Sequence, residues 1–141
     1  SADPRIRFPG AIYGRGYRQL LSHALVYIHA TEVGGTHPAL VEAMGYGNCL
    51  VVNDTPENRE VAGDAALYFR ADAPATLAAV LERLRADPQE IERRGRAAAA
   101  RAAERYNWET IADQYADLLC SAASGSPGAA AEEAGEAARI G

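Results

Sequence analysis

The sequence predicts an α/β fold, a three-layer unit built on a mostly parallel sheet with flanking helices, and three observations lead to it. Residues 25–29, 49–53 and 66–69 are short apolar runs, the right length for strands and too short for independent helices. Segments with helical spacing or helix-start signals separate them. The resulting order of strand, loop, helix, strand, helix, strand is that of parallel strands joined by crossover helices.

The elements follow in chain order. Residues 5–8 alternate Arg5, Ile6, Arg7, Phe8 before Pro9 and Gly10, which predicts a short strand closed by a turn. Tyr17, Leu20 and Leu21 recur at helical spacing and predict a weak helix over 14–23. The run 25–29 has no polar alternation, as expected of a strand covered on both faces. After the polar loop 31–36, Thr36 or His37 begins a helix with Pro38 in its first turn, and Gly47 stops it. Thr55 caps a short helix that has Pro56 at its first position. From Pro74 the pattern is wholly helical. Leu77, Val80, Leu81 and Leu84 form one stripe, a charged helix starts near Gln89, and Asn107 caps a last helix carrying Trp108, Ile111, Tyr115, Leu118 and Leu119. Residues 1–120 therefore read as one domain. Residues 121–141, mostly Ala, Gly, Ser and Glu, read as a linker or disordered tail, too poor in large apolar groups to build a core.

Composition narrows the function. The net charge is −5, from 19 acidic against 14 basic residues, and all the basic residues are arginine. No excess positive field draws the chain to nucleic acid. Cys49 and Cys120 lie far apart in apolar surroundings, which predicts buried or idle thiols in a reducing compartment. The three histidines lack carboxylate neighbours at metal-ligand spacing, so no metal is expected. With no long apolar run and no signal-like N-terminus, the chain reads as cytoplasmic. Arg83, Arg85, Arg93, Arg94, Arg96, Arg101 and Arg105 are mixed with acids and read as a solvated face.

The chemistry-bearing segment is residues 29–47, which leaves a buried strand and opens a helix. Such a place gathers unpaired N–H groups and the positive end of a helix dipole, and Gly34 and Gly35 let a ligand approach the backbone. A diphosphate fits there, but so does a plain tight turn, since the spacing is not the dinucleotide-binding fingerprint. The Thr36 hydroxyl serves either as a cap or as a phosphate contact, and His37 stands beside the helix start.

The run Glu32 to Gly47, followed by Cys49-Leu-Val-Val-Asn53 and Arg59-Glu60-Val61, resembles the donor-binding C-terminal domain of GT-B-type retaining glycosyltransferases. Within them, Glu32-Val-Gly-Gly-Thr-His-Pro38 with Asp54-Thr-Pro-Glu-Asn-Arg-Glu60 is similar to bacterial rhamnosyltransferase-like enzymes of surface-polysaccharide synthesis. The resemblance covers roughly residues 3–119 and ends on Tyr106-Asn-Trp-Glu109 before the last helix. It implies a partial Rossmann-like domain that binds a nucleotide-diphosphate sugar as donor, with no other cofactor, and transfers the sugar to a glycan or lipid-linked acceptor.

Residue by residue, the resemblance implies that Gly34, Gly35, Thr36 and His37 cradle the diphosphate or sugar, and that Glu42 holds the ribose hydroxyls as the second glutamate of the family pair. It also makes Glu60 a donor-side acid. The position of the pair's first glutamate is Gly34 here. Glu32 lies two residues earlier, as a candidate catalytic carboxylate from a differently shaped loop. The resemblance further implies that the acceptor domain and the diphosphate-neutralising arginine and lysine belong to a preceding part. The fragment alone is then expected to be inactive and to self-associate, and the whole enzyme to work in the cytoplasm, at the inner membrane face. The alternatives are a non-catalytic nucleotide-binding module and a structural α/β module.

Overall fold

The structure is a computed structural model that describes residues 3–33 and 37–123. Its contacts divide the chain into two units, Ser1–Ala103 and Glu104–Gly141.

The first unit holds a three-stranded parallel sheet. Strands β1 (Val26–His29), β2 (Cys49–Asn53) and β3 (Leu67–Phe69) lie in that order. Val26 pairs with Cys49 and His29 with Val52, while Val51 pairs with Leu67 and Asn53 with Phe69. This is the predicted α/β architecture, with each strand within one residue of its expected range. Helices α1 (Gly14–Ser22), α2 (Pro38–Gly45), α3 (Pro56–Ala62), α4 (Pro74–Ala86) and α5 (Pro88–Arg105) also appear where the pattern puts them.

Central strand β2 is buried at every position. Since side chains alternate across a sheet, both faces are covered. On one face Cys49, Val51, Leu67 and Phe69 pack with Leu84, Val80 and Leu77 of α4 and Ile91 of α5. Leu50 and Val52 point to the other face, where α2, packed beside α3, contributes Leu40, Ala43 and Met44, all fully buried.

Two expectations are corrected here. Residues 5–8 form no strand, and Phe8 is 80 % exposed. The Asp3 carboxylate instead accepts from the Arg5 backbone N–H at 2.9 Å, a local turn that competes with a ladder. Strand β1 is also not covered on both faces, since Ile28 is exposed.

The helix ends follow their capping chemistry. Thr55 Oγ1 accepts from the Asn58 N–H at 3.3 Å, with Pro56 at the first position of α3. Helix α2 closes in a Schellman motif. Gly47, at φ +72°, donates to the Met44 carbonyl, and the Asn48 N–H donates to that of Ala43. Helix α5 rests on this turn through Gly95, where an added Cβ would meet the Gly47 carbonyl oxygen at 2.2 Å.

Arginines fasten α5 to the sheet side, and this departs from the solvated face expected of them. Arg94 donates to the carbonyls of Asp64 and Ala66, and Arg101 to those of Val61 and Glu60. Arg83 clasps the buried Glu90 through both carboxylate oxygens, at 2.8 and 2.5 Å, which holds the Glu90 carboxyl below the usual range. Arg85, Arg93 and Arg96 remain exposed.

The second unit contains helix α6 (Trp108–Ala123). The Asn107 carboxamide oxygen accepts from the Glu109 N–H at 2.9 Å, the expected cap. The helix continues through residues 121–123 of the expected tail, and the rest of that tail lies outside the described residues. No described helix is long and apolar enough to cross a membrane.

Candidate functional site

Parallel strands direct their C-terminal ends to one edge of the sheet, where the connecting loops leave a crevice. In this chain the edge carries a cleft of about 310 Å³ lined by Glu32, Asn53, Asp54, Thr55, Arg70, Ala71 and Asp72. Glu32 comes from the loop after β1, Asp54 and Thr55 from the step between β2 and α3, and Arg70 to Asp72 from the loop after β3.

Two buried asparagines hold these loops together. Asn58, 1 % exposed, donates through Nδ2 to the carbonyls of Thr31 at 3.1 Å and Asn53 at 3.0 Å. Asn53 donates to the same Thr31 carbonyl and accepts from the Ala71 N–H at 2.9 Å. One carboxamide at the end of β2 thus ties the first loop to the third, and its neighbour on α3 fixes the first loop from beneath.

Asp54, Arg70 and Asp72 of the cleft are paired. Arg59 clasps Asp54 through both of its oxygens and lies 4.3 Å over the Tyr68 ring. Arg70 binds Asp72 at 2.6 and 3.0 Å. Each guanidinium holds its partner's carboxyl below the usual carboxylate range. At neutral pH the cleft therefore presents ionised carboxylates, the amide of Asn53 and the hydroxyl of Thr55, a set suited to a ligand rich in hydroxyl groups.

Of the residues singled out from sequence, Glu32 stands on the cleft wall. His37 is the residue before α2, and its ring lies 4.9 Å from that of His29, the last residue of β1. Glu42 is exposed on α2 away from the cleft lining, near Tyr17 of α1. Burial first and the neighbouring Glu42 second raise the Tyr17 pKa. Glu60 is exposed on α3, also off the cleft, and its backbone carbonyl accepts from Arg101. Gly34, Gly35 and Thr36 lie outside the described residues. The structure thus gathers Glu32 with the loops after β2 and β3, sets His37 against His29, and leaves Glu42 and Glu60 outside the cleft. Among the described residues no group of three or more His, Cys, Asp or Glu is placed to hold a metal ion.

Sequence reasoning passed over Asn53, Thr31, Arg70 and Asp72 as site residues, and treated Asp54 and Thr55 only as part of a motif and a cap. The signal that finds them is positional, because each lies at or just after the C-terminal end of a parallel strand, where such sheets bind ligands.

A family model described as glycosyl transferase-like matches residues 2–117. No curated protein and no solved structure matches the chain. With most of its length matched over the whole sheet and the loops that form the cleft, the chain belongs to the glycosyl transferase-like family.

Proposed function

We propose that this chain is the donor-binding part of a retaining, GT-B-type glycosyltransferase that moves a sugar from a nucleotide-diphosphate sugar to a glycan or lipid-linked acceptor. The observation that carries the reading is the polar cleft at the C-terminal strand ends of a glycosyl transferase-like chain. Its carboxylates and amide accept and donate to sugar hydroxyls, while the mouth of α2, beside Gly34, Gly35, Thr36 and His37, receives the diphosphate. Glu42 takes the ribose hydroxyls, Glu60 flanks the donor side, and Glu32 is the carboxylate nearest the sugar.

The leaving diphosphate needs preorganised positive charge. This chain has no lysine, and Arg59 and Arg70 are already committed to Asp54 and Asp72. In this reading the opening units of the donor domain, in a preceding part of the enzyme, supply that charge, so the chain alone binds donor without turning it over. The similarity to polysaccharide enzymes favours a rhamnose-like sugar and a cytoplasmic enzyme at the inner membrane face.

Calorimetric titration with UDP, dTDP and GDP tests the reading. One of them is expected to bind, and Glu42→Gln to weaken that binding roughly ten- to a hundredfold, the worth of charge-assisted bonds to two hydroxyls. Absence of binding by all three overturns donor binding, and an unchanged affinity in the folded variant removes Glu42 from the site.

A further inference from the structure

The proposed diphosphate site adjoins two histidines. His29 is 7 % exposed, and its Nε2 is buried with no hydrogen-bond partner among the described residues. A buried nitrogen left in that state is costly and calls for a partner. The neighbouring ring is His37, tilted by 56° at 4.9 Å, immediately before the first turn of α2. The first turn of α2 contains no acidic residue, so nothing within it competes for an anion at the helix's positive end.

We propose that His29 and His37 form a proton-holding pair at the mouth of α2: when a diphosphate arrives, His37 takes up one proton from solvent and shares it with the buried ring nitrogen of His29. This rests on the donor-site reading above. Without ligand the pair avoids a second charge, since burial first and His37 second hold His29 below the ordinary histidine value. Among the described residues, His37 is the chargeable neighbour that acts on His29. Tyr27 of β1 stacks on His29 at 6.2 Å. From β2 and α3 the buried polar side chains at this edge are the neutral Asn53 and Asn58. Along the chain the nearest acids are Glu32, on the cleft wall, and Glu42, beside Tyr17. An incoming diphosphate is therefore the negative charge that makes protonation of the pair favourable, and histidine is the side chain that titrates in the physiological range.

The test is calorimetry of the whole chain with inorganic pyrophosphate, in two buffers of different ionisation enthalpy, at several pH values between about 6 and 8. The expected result is net uptake approaching one proton per bound pyrophosphate, lost in His37→Gln. In His29→Phe, which keeps a ring against His37 but removes the acceptor nitrogen, the uptake midpoint is expected to fall by about one pH unit. Circular dichroism confirms that both variants fold, and the wild-type buffer comparison decides the matter if one does not. Binding without buffer-dependent heat, or uptake that persists unchanged in His37→Gln, overturns the pair while leaving the donor site standing. No binding of pyrophosphate overturns the donor site itself and the pair with it.

Discussion

Replacing Gly95 by alanine is expected to destabilise the first unit, although alanine is the better helix former. Gly95 lies inside α5, where the exchange on its own is worth about 1 kcal/mol in favour of alanine. The new Cβ, however, would sit 2.2 Å from the Gly47 carbonyl oxygen, against an ordinary contact of 3.4 Å or more, so helix and turn must part by roughly 1 Å. Neither side yields easily. Gly47 is fixed at φ +72° by the Schellman bonds, and α5 is held by fully buried Ala98 and by the Arg94 and Arg101 bonds to backbone carbonyls. Overpacking of this kind costs about 1–3 kcal/mol, and stretching the arginine bonds adds to it, for a net loss of about 2 kcal/mol. With a urea slope of about 1–3 kcal/mol/M, the midpoint by circular dichroism falls by about 1 M. Gly45→Ala is the control. That glycine ends α2, its added Cβ meets nothing within 4 Å, and the change is expected to stabilise by about 0.5–1 kcal/mol. A Gly95→Ala protein as stable as the wild type would refute the close approach.

Asn58→Asp sets a carboxylate against the Thr31 and Asn53 carbonyls that now receive Nδ2, and is expected to cost about 3 kcal/mol in urea unfolding. A loss below 0.5 kcal/mol would mean that the amide does not hold the loop after β1. His29 is depressed on folding, so its contribution to stability is complete above the ordinary value near 6.5 and is lost as pH falls below it toward the folded value. Unfolding free energies between pH 7 and 5 should decline with a slope that His29→Phe reduces, and identical slopes would contradict the burial. Burial pushes the Cys49 thiol up to about 11. In a Cys120→Ser background, iodoacetamide at pH 8 is therefore expected to modify Cys49 only at the rate of unfolding, and labelling as fast as an exposed thiol would show that β2 is accessible.

The sequence by itself determined the α/β class, the three strands, the succession of helices and the caps at Thr55, Gly47 and Asn107, because all of these are local. A five-residue apolar run, a proline at a helix start and a glycine at a helix stop act through their own backbone and immediate neighbours. The stretch at residues 5–8 shows where that logic ends, since alternation makes a strand only when another strand pairs with it. The resemblance carried by residues 32–60 also lay in the sequence, and the family match agrees with it at the level of glycosyl transfer.

Tertiary structure alone decided that β1 keeps an exposed face, and which arginines left solvent to bind carbonyls on α3 and around the following turn. It also decided which polar residues meet at the C-terminal strand ends. Glu32, Asn53 and Arg70 share a cleft because parallel register brings three loops to one side of the sheet, and no local pattern encodes that register. His29 and His37 are eight positions apart, joined by a strand end, a loop and a helix start. Their rings meet only because the chain reverses there to lay α2 back over the sheet.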